Sequence, residues 1–180
     1  MTVFSHISSS SSDLTLSGCP EGFDALVASD LARREGLSVF IARDYARMNA
    51  VISALGFFAP DLEILQFPAW DCLPYDRMSP TPGIVAQRMY ALSRLTAMKG
   101  KKPEKPRLLM TTVNAMAQKI PPRAVVSEGR LSLRPGQSQD IDKLEAYFQH
   151  QGYTRVSTVA ERGEFAVRGG LLDVFPPSPE

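Results

Sequence analysis

The order of hydrophobic and polar positions predicts alternating strands and helices up to about residue 120. Three short apolar runs are typical of strands that are buried on both faces of a sheet. These predicted strands are Leu37–Ala42, Leu62–Phe67 and Leu108–Val113. Helices with one apolar stripe each separate the strands, because hydrophobic residues recur there every three or four positions. This order predicts βαβ units, and therefore a parallel sheet with right-handed crossovers.

Capping residues locate the ends of these helices. Asp44 is a suitable N-cap for the second helix, and Gly56 is predicted to end it, since glycine favours the position just after a helix. Thr81 as N-cap, with Pro82 at the first helical position, predicts a third helix that runs to about Met98. The residues predicted to face the sheet in this third helix are Val85, Met89, Leu92 and Leu95.

Near residue 120 the pattern changes to an α+β order, so we place a domain boundary there. Residues 1–12, which end in a serine run, are predicted to be disordered. Residues 13–119 are predicted to form an α/β domain, and residues 120–180 to belong to a second, smaller α+β domain. In this second segment we expect strands at Ala124–Val126 and near Leu131–Leu133 and a helix from about Gln139, with Ser138 as its cap.

A β-hairpin is predicted at the end of the second segment. Alternating apolar positions predict one strand up to Arg168, with Phe165 in the core, and the apolar run Leu171–Phe175 predicts the returning strand. Gly169 and Gly170 between them suit a tight turn, which needs positive φ angles. From the residues alone, Arg168 is interpreted as a solvated arginine at the turn.

Composition excludes several classes of function. The hydrophobic share of 44% supports a packed core, and the formal net charge of +1 gives no overall field that would attract nucleic acid or an anionic membrane. The apolar runs are too short to span a membrane, and the N-terminus lacks a signal-peptide pattern, so we expect a cytoplasmic protein with no membrane partner. Cys19 and Cys72 are expected to be free thiols, and two histidines argue against a histidine-rich metal site.

The chain lacks a phosphate-binding loop where an α/β nucleotide-binding domain would carry one. Such a loop needs consecutive backbone N–H groups, a lysine and a Ser or Thr hydroxyl. The corresponding stretch, Gly18–Phe23, has neither a lysine nor a hydroxyl, while Pro20 removes an amide donor and Glu21 would repel phosphate. The residues therefore predict no bound nucleotide and no catalytic, cofactor or metal site in this chain.

Two stretches together resemble the bacterial transcription-repair coupling factors, the Mfd family. One reads Phe67-Pro68-Ala69-Trp70-Asp71-Cys72-Leu73-Pro74-Tyr75-Asp76. The other reads Gly163-Glu164-Phe165-Ala166-Val167-Arg168-Gly169-Gly170-Leu171-Leu172-Asp173-Val174-Phe175-Pro176 and more distantly resembles the excision-repair helicase UvrB. The similarity extends over roughly residues 14 to 177.

The resemblance implies a UvrB-like module at the N-terminus of such a protein. Its first part would be a RecA-like, helicase-like parallel sheet with helices on both faces that has lost its ATP site. Its second part would be a docking domain for UvrA, which recruits nucleotide-excision repair to stalled RNA polymerase. By the same resemblance, the partner-binding residues are Arg168, Gly169 and Gly170.

The resemblance also implies what the chain does not carry. ATP, Mg²⁺, RNA polymerase and DNA would be bound by domains of the family that are absent here, so no enzymatic activity is expected of this chain. It would be a fragment that ends inside its second domain, and the strand edge left at that end predicts self-association.

An alternative interpretation is a nucleic-acid-binding remnant of a helicase domain. It would use Arg107, the lysines between residues 99 and 105, and Trp70. Trp70 and Tyr75 could offer stacking platforms for bases. Packing over the edge of the sheet is the other interpretation of this aromatic pair.

Overall fold

The computed structural model of the chain describes residues 13–73, 78–98, 103, 105–129, 131 and 133–176. The predicted disorder of residues 1–12 therefore concerns residues outside the described ranges. Up to residue 128 the elements are α1 (Phe23–Glu35), β1 (Leu37–Ala42), α2 (Tyr45–Phe58), β2 (Glu63–Phe67), α3 (Pro82–Met98), β3 (Arg107–Thr112), α4 (Val113–Met116) and α5 (Arg123–Glu128).

The three predicted strands form one parallel sheet in the order β1-β3-β2. Each strand is a short apolar run, and neighbouring residues along a strand point to opposite faces. Leu108 and Met110 of β3 therefore face α1 and α2, whereas Leu109 packs on the opposite side, where α3 and α5 lie. The fold is thus α/β with helices on both faces, as predicted.

The second face is covered over β2 and β3 but not over β1. Val39 and Ile41, which alternate with the half-buried Phe40, are 53% and 50% exposed. They lie opposite Leu109 and Thr111 in the parallel register. The outer strand of the sheet therefore presents an apolar strip to solvent, formed by Val39 and Ile41.

Two predictions about the first eight elements are corrected. The second helix does not stop at Gly56 but continues to Phe58, because the amide of Ala59 still donates to Leu55 O (2.8 Å) and only Pro60 interrupts the ladder. Residues 124–126 are helical and not a strand. Pro122 stands at the N-cap of α5, and Val126 packs beside Leu92 in the core between α3 and the sheet.

The remaining corrections concern the residues before the second sheet. Leu131 and Leu133 are not in a strand, and Ser132 between them is outside the described residues. The following helix, α6 (Ile141–His150), is capped by Asp140 and not by Ser138. The carboxylate of Asp140 accepts from the amides of Asp142 and Lys143 at 3.1 and 3.3 Å, a better match to a helix N-terminus than a serine two residues earlier. The boundary near residue 120 stays a prediction.

The second sheet is mixed and small. It contains β4 (Thr154–Arg155), β5 (Glu164–Arg168) and β6 (Leu171–Phe175), in that order across the sheet. β4 runs parallel to β5, and β5 runs antiparallel to β6. Helix α6 supplies Leu144 and Phe148 to the core under this sheet.

One carboxylate ties α3 to the start of two strands of the first sheet. Glu63 at the beginning of β2 accepts from Arg94 Nε of α3 (2.8 Å) and pairs with Arg107 at the beginning of β3. Burial on its own would raise the pKa of Glu63, but the hydrogen bonds from Arg107 and Arg94 outweigh it and hold the pKa below its usual 4.5. The ionised form of Glu63 is therefore favoured by folding.

We expect Glu63→Gln to lower the free energy of unfolding at pH 7 by about 1–2 kcal/mol, because two charged hydrogen bonds are weakened. A lowered native pKa stabilises the fold above the unfolded value of 4.5 and loses that contribution as the pH falls through the native value. The difference between the two proteins should therefore shrink below pH 4.5 in urea titrations followed by circular dichroism. Asp61→Asn, which removes an exposed pair with Arg33, is the control and should change little. A difference that is constant with pH would contradict this role for Glu63.

Candidate partner-binding site

The predicted hairpin is present, and its register follows from its two-residue turn. Arg168 pairs with Leu171, and the ladder continues to Glu164 opposite Phe175. Gly169 has φ +60°, the left-handed region that glycine enters without strain, whereas Gly170 lies outside that region. The turn therefore requires a positive φ at one of the two glycines, not at both as predicted.

One face of the hairpin is committed to the core. Phe165 is fully buried, as predicted, and its ring stacks on Phe148 with the centroids 5.6 Å apart. Val167, Leu172 and Val174 pack against the same cluster. These contacts fix the hairpin on α6, so that its other face is presented by a rigid support.

The opposite face, which we call the outer face, consists of Glu164, Ala166, Arg168, Leu171, Asp173 and Phe175, three directly opposed pairs of the ladder. The side chain of Arg168 is 59% exposed, and Leu171 across from it is 68% exposed. Both lie at the turn end of this face. The structure therefore places the three partner-binding residues of the resemblance, Arg168, Gly169 and Gly170, at an accessible tip.

Asp173 is a feature of this site that the sequence analysis missed. Its carboxylate Oδ2 is paired with Nη2 of Arg168. A signal for it was available, because a two-residue turn after Arg168 sets Ala166 opposite Asp173 and thereby makes Arg168 and Asp173 diagonal neighbours on one face. Arg168 is therefore not simply a solvated turn arginine.

The chain entering the hairpin is fixed by Glu164. Its carboxylate accepts from the amides of Ala160 and Glu161, both at 2.8 Å. These two backbone hydrogen bonds lower the pKa of Glu164. At the same end of the outer face, the guanidinium of Arg162 lies 5.2 Å from the ring centroid of Phe175. The base of the hairpin is thus ordered by local contacts, and the tip is left exposed.

A buried arginine organises the aromatic stretch of the first domain. Of the residues of α3 predicted to face inward, Leu92 is buried and Val85 is half-buried, but Met89 is 39% exposed. Arg88, which the prediction left out, is buried and only 1% exposed. The guanidinium carbon of Arg88 lies 4.0 Å from the ring centroid of Phe67 and 4.2 Å from that of Trp70. The planar cation is therefore held between two aromatic side chains.

Backbone and amide oxygens complete the environment of Arg88. Nη1 donates to Pro68 O at 2.6 Å and to Oε1 of Gln118 at 3.2 Å, and the same Oε1 accepts from the amide of Trp70 at 2.9 Å. Nε is buried without a hydrogen-bond partner among the described residues. Burial lowers the pKa of Arg88, yet a guanidinium stays charged at neutral pH.

These contacts bear on the proposed stacking platform. One face of the Trp70 indole is occupied by Arg88, in keeping with packing over the sheet, and Tyr75 is outside the described residues. Arg107 is 9% exposed and is engaged with Glu63. Of the lysines between residues 99 and 105, the structure describes only Lys105. Two of the residues that the nucleic-acid interpretation needs are therefore used inside the fold.

The stretch that would hold a phosphate loop precedes α1 and is poor in suitable donors. Gly22 occupies the N-cap with φ +82° and no side-chain cap. Asp24 in the first helical turn pairs with Arg47 of α2, and Glu21 is exposed beside them. The helix N-terminus is thus flanked by two carboxylates, which oppose the binding of a phosphate.

Two further kinds of site are absent from the described ranges. No group of three or more His, Cys, Asp and Glu residues there could hold a metal ion. Within the same ranges, no helix combines the length and apolar character needed to cross a bilayer. Cys19 and Cys72 are free, as predicted.

Comparison with known families defines the class of the second part of the chain. Residues 131–180 match the family model of the UvrB interaction domain. This region contains α6, the second sheet and the hairpin tip with Arg168. The exposed tip therefore lies in the region that matches the UvrB interaction domain.

Similar proteins extend the assignment to the rest of the chain. The transcription-repair-coupling factor of Mycobacterium tuberculosis is 36% identical over 162 residues, 89% of this chain and 13% of that protein. Those of Haemophilus influenzae and Escherichia coli are each 32% identical, over 86% and 84% of this chain and 13% and 12% of their own lengths. The chain thus belongs to the transcription-repair-coupling factor family and spans about 13% of the length of the curated relatives that it matches.

We expect Arg88→Ala to lower the free energy of unfolding by about 2–4 kcal/mol, because it opens a cavity between two rings and strips a donor from Pro68 O and Gln118. Arg88→Lys should also destabilise, since an ammonium cannot stack as a planar fork. Urea unfolding followed by the emission of Trp70, the only tryptophan in the chain, measures both. Arg123→Ala, at an exposed position in α5, is the matched control. Equal stability of Arg88→Ala and the control would contradict the role of Arg88.

Proposed function

We propose that this chain is a non-catalytic interaction module that binds UvrA and so recruits nucleotide-excision repair to stalled RNA polymerase in the cytoplasm. The observation that carries the proposal is the exposed Arg168 at the tip of a rigid hairpin, inside the region that matches the UvrB interaction domain. The relatives are described as transcription-repair-coupling factors, and a coupling factor needs a surface that contacts the repair machinery.

The chemistry of the tip suits an acidic site on the partner. A guanidinium presents several N–H donors in one plane and can bind a carboxylate through two parallel hydrogen bonds. Leu171, exposed directly across the ladder, adds apolar surface beside this charge. Gly169 and Gly170 carry no side chains that would obstruct the approach. Arginine is one of the residue types that are enriched at binding hot spots.

Other activities of the family are assigned here to the part of the relatives outside the matched segment. We infer that ATP, Mg²⁺, DNA and RNA polymerase are bound there. The first domain then serves as a scaffold, in which the former nucleotide site at Gly18–Phe23 has become acidic. Self-association through the edge strand β6 stays a prediction.

We expect Arg168→Ala to weaken binding to purified UvrA by about 30-fold, on the order of 2 kcal/mol, if its new partner carboxylate is desolvated in the complex. The unfolding midpoint should hardly change, since the exposed side chain supports little of the core. Biolayer interferometry with the immobilised 180-residue chain measures the affinity. Arg155→Ala, which removes an exposed arginine paired with Glu145 in the same domain, is the control. Unchanged affinity of Arg168→Ala would remove Arg168 from the interface.

We expect no binding of Mg-ATP, because Gly18–Phe23 offers no lysine or hydroxyl and because Glu21 and Asp24 lie at the N-terminus of α1. Isothermal titration of the chain with Mg-ATP up to millimolar concentration is the measurement. Saturable heat with a micromolar dissociation constant would contradict the prediction.

The same chain titrated with duplex DNA at low and high salt tests the nucleic-acid alternative, since phosphate contacts weaken steeply with salt.

A further inference from the structure

We propose that Asp173 is a positioning residue for UvrA binding, which holds the guanidinium of Arg168 in the orientation that a carboxylate of UvrA engages. The inference rests on the proposed function and adds to it a residue on the opposite strand. It follows from the geometry of the outer face, not from the turn itself.

The hairpin register brings the two groups together. Arg168 is opposite Leu171 and Ala166 is opposite Asp173, so the arginine and the carboxylate are diagonal neighbours on the outer face. Ala166, directly opposite Asp173, is small and 1% exposed, and Nη2 of Arg168 pairs with Oδ2 of Asp173. The side chain of Arg168 therefore lies back along the hairpin toward Asp173, and not outward from the turn.

The pair leaves much of the arginine available. The contact joins Nη2 of Arg168 to Oδ2 of Asp173, while the arginine side chain stays 59% exposed. A guanidinium has five N–H donors, so donors remain for a second carboxylate. The neighbouring carboxylate on this face, Glu164, is engaged with the amides of Ala160 and Glu161 and does not compete for the arginine.

Holding the arginine in advance favours association. An unpaired arginine samples many rotamers, and ordering it on binding costs free energy. The pair with Asp173 already restricts the rotamers of Arg168 in the free protein, so less conformational entropy is lost on binding. In the opposite role, Asp173 would mask Arg168 and would have to be displaced by UvrA. Removing the charge of Asp173 would then strengthen the binding of UvrA instead of weakening it.

Affinity for purified UvrA distinguishes these roles. With Asp173→Asn we expect binding about 3- to 10-fold weaker, the range of cost for immobilising one long side chain. Asp173→Glu, which restores a carboxylate, should recover most of the loss. In an Arg168→Ala background Asp173→Asn should have no further effect, because Asp173 acts through the arginine. Asp142→Asn, the same change at an exposed position of α6, is the control and should bind as the unchanged chain does.

Equal or tighter binding of Asp173→Asn would overturn the inference, and so would an equal loss in the Arg168→Ala background. A measurement without UvrA separates this inference from the proposed function. The ¹⁵N relaxation of the Arg168 Nε–H group should show a more ordered side chain in the unchanged protein than in Asp173→Asn. If Asp173→Asn loses the order of the Arg168 side chain but the unchanged chain does not bind UvrA, the proposed function fails. The ordering of Arg168 by Asp173 then still stands. If Arg168→Ala weakens binding but the order is unchanged, only the positioning by Asp173 is wrong.

Discussion

The fold around the first sheet depends on Arg88, a buried cation that contacts no carboxylate among the described residues. Arg88 joins three separate segments: helix α3, the chain leaving β2 at Phe67–Trp70, and Gln118 beyond β3. Within the described residues, the charge is stabilised by two aromatic faces and two oxygens and not by an opposite charge. Because the guanidinium is planar and rigid, it fixes the direction in which the chain leaves the sheet. The aromatic stretch on which the family resemblance rests therefore binds an arginine side chain of the same fold.

The two sheets, each with the helices that pack on it, use their arginines in opposite ways. In the first, Arg88 and Arg107 are buried, and their N–H groups donate to groups of the same fold. In the second, Arg168 is held by a single carboxylate and keeps donors directed at solvent. This contrast separates a cation that stabilises the fold from one that is available to a partner. Burial, and not residue type, makes the distinction.

The sequence predicted the strands of the first sheet well, and Leu92, Leu144 and Phe148 are buried on their helices as predicted. β1 was predicted at its exact bounds because a short, mostly apolar run between two helices has few other structures. Arg88 was missed because helical periodicity is read from apolar residues. A charged arginine that is buried between two aromatic rings gives no such signal. The strand predicted at residues 124–126 was wrong because the β-branched pair Val125-Val126 favours a strand locally, while tertiary packing on α3 selects a helix. Asp173 could have been found from the hairpin register, whereas the partners of Glu63 could not, since Arg94 and Arg107 are distant in sequence.

The apolar strip on β1 has a consequence for how the chain behaves in concentrated solution. Val39 and Ile41 are exposed on a strand whose outer edge pairs with no other described strand, so apolar surface and a free strand edge occur together in the described part of the chain. This combination promotes the growth of intermolecular sheets on heating, well before the buried cores are exposed. Threonine at position 41 keeps the β-branched shape and removes one of the two apolar side chains. Colloidal stability and folding stability are therefore separable properties of this chain, governed by different residues.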